Sequence, residues 1–298
     1  MKAINRYTSQ ILLLIGCLIL LSFVLLPLLN LGNKRVKGWH DGMLKVVNND
    51  LVLDDTVVLC HFVPVVGGSI FMGYVDSLKW THHDSTSSTV NEFNYRNNYV
   101  HSFLIGEIPV TVHLCLAVKS GELPLHNRLS MLSGLNPIQI FYEKDDVQSF
   151  IDALNQKTGR TFRLPTNEEW EFAARGGMKS RGFKYSGSNQ IRDVAWYNGN
   201  CKETHSVKKK MPNELGIYDM SGNMWECTST PIYKTSPTLR MMHDWMDPND
   251  EDTPLLKKTL ECLACRGGAW DSPEEECSLD YLPKRNFSEF CIRLVLEY

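Results

Sequence analysis

The stretch Gly216 to Cys227, GIYDMSGNMWEC, constrains the fold of this chain more than any other. Gly216 and the pair Ser221-Gly222 admit backbone conformations that a β-carbon forbids elsewhere. The segment therefore reads as a strand edge, a tight loop and a second strand. Asp219 and Glu226 flank the loop. Two carboxylates with loop carbonyls between them form the hard, all-oxygen donor set that calcium selects. A plain β-turn with both acids in solvent accounts for the same spacing.

The other strong signal lies near the start. Ile11 to Leu31, ILLLIGCLILLSFVLLPLLNL, has only Ser22 and Asn30 as polar interruptions. As a helix this run is long enough to cross a hydrocarbon core of about 30 Å. It lacks the shorter apolar centre and small-residue cleavage site of a secretory signal. The expectation is a retained single-pass anchor, with residues 1–10 as a short tail, 11–31 as the span and 32–56 as a polar juxtamembrane linker carrying the turn signal Asn48-Asn49-Asp50. Leu14-Ile15-Gly16-Cys17 also resembles a lipobox, which would make Cys17 an acylated first residue. Against this, the sequence stays apolar to Leu31, where lipoproteins normally turn polar. Lys2 and Arg6 on one side balance Lys34, Arg35 and Lys37 on the other, so charge does not orient the span. The shortness of the tail favours a domain on the extracytoplasmic side, periplasmic or outer.

Residues 57–298 remain for one domain, and a hydrophobic content of 43% supplies its core. A net charge of -3 gives no basic footprint for nucleic acid. Val57 to Val66 and Ser69 to Tyr74, separated by Gly67-Gly68, read as a hairpin. Asp76 to Asn98, rich in Ser, Thr, His and Asn, reads as a surface loop; His82 and His83 have no third metal ligand at suitable spacing. Thr111 is a helix N-cap. Val147, Phe150, Ile151 and Leu154 fall at helical spacing, with Asp145 or Asp146 as the cap and Gly159 past the end. Thr166-Asn167-Glu168-Glu169 is a capping box, and Gly176-Gly177 ends its helix. DVAWYNGN supplies a strand and loops. The class is α+β.

Five blocks occur in a characteristic order: VPVVGGSIFMG (Val63 to Gly73), RLPTNEEWEFAARGG (Arg163 to Gly177), the central stretch, RGGAW (Arg266 to Trp270) and CIRLVL (Cys291 to Leu296). Together they resemble the formylglycine-generating enzyme, or sulfatase-modifying factor, family. The resemblance implies an α+β fold related to that of C-type lectins, with little regular secondary structure. It implies calcium bound by Asp219, the carbonyls of Gly222 and Met224, and Glu226; aspartate replaces the family's usual asparagine at 219. For an active enzyme it implies oxygen activated at a copper(I) ion held by two thiolates, with that oxygen oxidising a substrate cysteine in a sulfatase peptide. Those two positions are Ser272 and Cys277 here, and a serine hydroxyl is too hard a donor for copper(I).

Of the nine cysteines, Cys227, Cys262, Cys265 and Cys291 are the candidates to approach Cys277. Cys262-Leu-Ala-Cys265 has redox-motif spacing but no matching second pair. Disulfides involving Cys277 or Cys291, or buried thiols, are the plainer accounts. Cys227 stands where the family prefers tryptophan, which opens space.

Two functions follow. One is a non-catalytic, membrane-anchored binding or envelope-assembly module, meeting a protein or peptide partner through Trp270, Asp271, Tyr281, Lys284, Arg285 and Phe287. The other is a copper-dependent formylglycine-generating oxidase acting through Cys277. Ser272 favours the first. The insertion from Pro231 to Leu260, with its acidic stretch His243 to Pro254, is a further possible contact.

Overall fold

The computed structural model describes residues 44–53, 57–81, 87–118, 136–137, 140–141, 144–235, 237–244, 262–283 and 289–298. In chain order the first elements are β1 (Leu44–Val47), β2 (Asp50–Leu53), β3 (Val57–Val65), β4 (Gly68–Thr81), β5 (Ser87–Val100), β6 (Phe103–Gly106) and α1 (Val112–Val118). There follow β7 (Ile140–Phe141), α2 (Lys144–Thr158), β8 (Phe162–Arg163), α3 (Asn167–Ala174) and α4 (Ile191–Val194). The chain ends with β9 (Glu226–Pro231), α5 (Pro237–Asp244), β10 (Leu263–Arg266), β11 (Glu289–Ile292) and β12 (Val295–Leu296). One sheet runs β1-β2-β3-β6-β12-β8, a second β10-β9-β11-β7, and β4 pairs with β5 alone.

Among the described residues no helix is long and apolar enough to cross a membrane. The run 11–31, with Cys17, lies outside them. So do His82, His83, Lys284, Arg285, Phe287 and residues 245–254 of the acidic stretch.

The mixed α/β architecture agrees with the expected class, but several local readings need correction. The segment assigned to the linker contains β1 and β2, which pair from Leu44↔Leu53 to Val47↔Asp50. Asn48 and Asn49 turn between them with φ of 48° and 68°. These are the left-handed angles of a two-residue hairpin turn that asparagine tolerates. Leu51 and Leu53 are buried, so the folded domain begins ahead of Val57. The proposed hairpin of β3 with the following strand does not form: β3 pairs with β2 and β6. The strand after Gly67 pairs instead with the segment read as a surface loop, in register from Gly68↔Val100 to Thr81↔Ser87. Backbone pairing needs no apolar side chains, so a polar composition did not preclude a strand. DVAWYNGN starts in the single helical turn α4 rather than a strand. Regular structure is accordingly more extensive than the resemblance implied.

The helical readings hold except for the cap of α2. Thr111 Oγ1 accepts the Leu114 amide ahead of α1. Gly159, at φ 65°, follows α2, whose Val147, Phe150, Ile151 and Leu154 are buried; Asp145 and Asp146 lie inside its first turn rather than at the cap. At α3 the capping box is complete: Thr166 Oγ1 accepts the Glu169 amide at 3.1 Å, and the Thr166 amide donates to Glu169 Oε2 at 2.8 Å. Thr166→Ala is expected to lower the unfolding free energy by about 1 kcal/mol in chemical denaturation.

Candidate functional site

The cap sets the direction of α3, and α3 carries Trp170 into the main core. There Trp170 is fully buried among Val63, Val65, Phe103, Ile105, Ile217, Met220 and Val295. Its indole Nε1 donates to Glu226 Oε2 at 2.7 Å. Arg293, from the turn between β11 and β12, completes this carboxylate's coordination: Nε donates to Oε2 at 2.9 Å and Nη2 to Oε1 at 2.5 Å. The same guanidinium donates to the carbonyls of Gly106 and Tyr218. Both partners of this ion pair are buried. A second buried pair lies across the Trp170 ring. Arg266 donates to Glu171 Oε2 at 2.7 Å, to Asn167 Oδ1 and to the Leu279 carbonyl, with its guanidinium 5.2 Å from the indole centroid. Two arginine–carboxylate pairs thus join the family-like blocks across 67 and 95 residues of chain. The sequence reading assigned neither arginine a role. Their only signal was that each sits inside a quoted block.

The central loop is sewn to the segment after β10. Gly222 donates to the Gly267 carbonyl at 2.7 Å, Trp270 to the Asn223 carbonyl, and Ser221 Oγ to the Cys277 carbonyl. Gly222 is required here, because a β-carbon would lie 2.2 Å from the Trp196 carbonyl oxygen. Asp219, at φ 58°, is 5% exposed and accepts the Lys208 amide at 2.9 Å. Its pKa is raised to about 6, chiefly by burial and to a lesser extent by Glu226, while the Lys208 amide, Arg293 and Asn223 pull it down. This is a buried carboxylate short of positive charge, which fits a hard divalent cation. Glu226 fits only in part. Its Oε2 already accepts Trp170 and Arg293, and Oε1 retains room for one more partner beside Arg293.

The two positions compared with copper thiolates have unlike surroundings. Ser272 is 3% exposed; its hydroxyl accepts the Ala269 amide at 3.1 Å and donates to Glu276 Oε2 at 3.0 Å. Cys277 is fully buried with Tyr185, Ile191, Val194, Ala195 and Tyr197. Burial raises its thiol to about 12, and Glu276 and Cys201 push in the same direction. Its Sγ lies where a β-carbon on Gly268 would be only 2.7 Å away, so glycine at φ 79° lets the loop close over it. A hydrogen-bonded alcohol and a protonated, enclosed thiol do not fit a soft two-thiolate copper centre.

The cysteine expected to substitute is not one of those named. Cys201, which was not among those candidates, adds to the upward push on the Cys277 thiol, and its own Sγ donates to the Tyr197 and Trp270 carbonyls. Cys227 instead faces Cys265, with their sulfurs 2.7 Å apart. Among the ligand-facing candidates, Asp271 is exposed while Trp270 and Tyr281 are partly so. Tyr281 turns its hydroxyl to Glu276 Oε1 and its ring towards Trp225.

With this geometry in place, comparison with known proteins is decisive on one point. The family model of the sulfatase-modifying factor enzyme 1-like domain matches residues 137–289, just over half of the chain. The chain belongs to this family. Relatives of the sulfatase-modifying factor domain include a Paenibacillus barcinonensis protein named chaperone protein LppX, 45% identical over 92 residues, which are 24% of this chain and 33% of the relative. The bovine inactive C-alpha-formylglycine-generating enzyme 2 is 32% identical over 115 residues, 34% of this chain and 38% of the relative. The formylglycine-generating enzyme of Streptomyces coelicolor is 31% identical over 135 residues, 39% of this chain and 38% of the enzyme. The chain thus spans about a third of the length of these curated relatives. Among solved structures, Treponema denticola variable protein 1 aligns over 78% of this chain and 99% of its own, at 22% identity and a TM-score of 0.48.

Proposed function

We propose that this chain is a non-catalytic member of the sulfatase-modifying factor family, a binding or envelope-assembly module held to a membrane by residues 11–31 with its domain on the extracytoplasmic side. One observation carries the reading: where a second thiolate is needed, the Ser272 hydroxyl is engaged by Ala269 and Glu276. The naming of two mammalian relatives as inactive formylglycine-generating enzymes agrees with it, as does the naming of a bacterial relative as a chaperone. A protein or peptide partner would meet Trp270, Asp271 and Tyr281, and Lys284, Arg285 and Phe287 remain candidates from the sequence that lie outside the described residues. A structural calcium ion would be held by Asp219 and Glu226 with the carbonyls of Gly222 and Met224.

The oxidase reading keeps one observation in its favour, the cysteine at 277. The two are separated by incubating the reduced domain with copper(I) and a cysteine-containing sulfatase peptide. No aldehyde is expected by mass spectrometry; aldehyde that disappears in Cys277→Ala overturns the proposal. In the same assay Ser272→Cys is expected to gain copper(I), read by competition with a chromophoric copper(I) chelator, because it supplies the missing soft donor.

A further inference from the structure

Cys227 and Cys265 stand directly opposite each other on the antiparallel strands β9 and β10. This pairing depends on an irregularity. The ladder begins at Leu263↔Pro231, and continued without a shift it would set Cys265 against Ser229. The register slips between Leu263 and Cys265 and brings Cys227 opposite instead. Opposed residues in an antiparallel ladder have Cα atoms about 4.5–5.5 Å apart, inside the range of about 4.4–6.8 Å that a disulfide spans. Both side chains are buried, and their sulfurs lie 2.7 Å apart. Non-bonded heavy atoms rest at roughly 3.5–4.0 Å. A shared metal would hold the sulfurs further apart again, since each metal–sulfur bond alone is about 2.3 Å.

We propose that Cys227 and Cys265 form a disulfide when the chain folds in oxidising surroundings, a cross-strand staple that closes the insertion between β9 and β10. The two thiols lose their hydrogens and one S–S bond forms. Two electrons pass to the disulfide of an oxidised small-molecule or protein dithiol, which is cleaved to two thiols, and the protons balance between them. Exchange proceeds through a thiolate, and burial holds the folded Cys227 thiol well above its ordinary range. The bond therefore forms while β9 and β10 are pairing, before the site closes. The staple joins residues 38 positions apart and acts on the unfolded state by shortening its free loop. It does not depend on the absence of catalysis, and it supports placing the domain in a compartment where disulfides persist.

The test uses the full chain refolded in a mixture of oxidised and reduced glutathione, then denatured and alkylated without reductant. Cys227 and Cys265 are expected to resist alkylation, and a non-reduced digest is expected to yield one peptide pair linking them. Reduction is expected to lower the melting temperature by about 10 °C. The double variant Cys227→Ala/Cys265→Ala is expected to melt at one temperature with or without reductant. Chain reduced and already folded is expected to oxidise far more slowly than chain oxidised during refolding. Alkylation of both cysteines after oxidative refolding, or linkage of either to Cys262 or Cys291, overturns the proposal. So does release of stoichiometric metal from the pair on denaturation.

Discussion

Arg293→Met is expected to lower the unfolding free energy by about 3–5 kcal/mol, enough to leave much of the chain unfolded at 37 °C. The guanidinium and the Glu226 carboxylate are both buried, and removing the arginine leaves a carboxylate in the core with Trp170 as its remaining described side-chain donor. The Gly106 and Tyr218 carbonyls lose their donors at the same time. The pair itself need not be strongly stabilising, because desolvating two charges offsets most of their attraction. What is destabilising is half of it. Arg293→Met/Glu226→Gln is therefore expected to be more stable than Arg293→Met alone, since no uncompensated charge remains. Urea denaturation of the two single variants and the double variant closes the cycle. A loss below about 1 kcal/mol for Arg293→Met would show that Glu226 is not held by this arginine.

Which parts of this arrangement were legible in the sequence follows from how far apart the interacting residues stand. The capping box at Thr166 and Glu169 is written within one helical turn, and it forms as read. Asn48 and Asn49 announce a turn for the same reason, yet their flanking strands are four residues each, too short for alternation to distinguish them from a polar linker. The hydrogen bond from Gly222 of the central loop to the Gly267 carbonyl joins two of the family blocks, and nothing in their residues foretells it. The ion pairs Arg293–Glu226 and Arg266–Glu171 span 67 and 95 residues and leave no periodicity to detect. The pairing of Cys227 with Cys265 was hidden more deeply, because it depends on a slipped register that no residue pattern encodes. Ser272 is legible in the sequence only as a hydroxyl at the position that the family resemblance compares with a thiolate. That its hydroxyl would be held by Glu276, three residues beyond the nearest proline, was a matter of loop geometry.

Without calcium, Asp219→Asn is expected to stabilise the domain at pH 7.5 by up to about 3 kcal/mol. Asp219 has a folded pKa raised to about 6 from an ordinary 3.8, with burial as the largest cause. The folded state therefore binds the proton more tightly than the unfolded chain does. Stability from this group falls as pH rises from about 3.8 to 6, and the penalty is fully present above that window. Asparagine keeps the oxygen that accepts the Lys208 amide and removes the charge, so it flattens this slope. Calcium is expected to reverse the ranking. A cation held by Asp219, Glu226 and the carbonyls of Gly222 and Met224 supplies the positive charge the carboxylate lacks, and the extra charge of aspartate over asparagine then strengthens its grip. Melting curves of the two proteins at pH 5.0 and 7.5, with millimolar calcium or with chelator, separate the outcomes. If calcium leaves the original chain's melting temperature unchanged at pH 7.5 while Asp219→Asn still raises it, the buried charge is real and the calcium site is not.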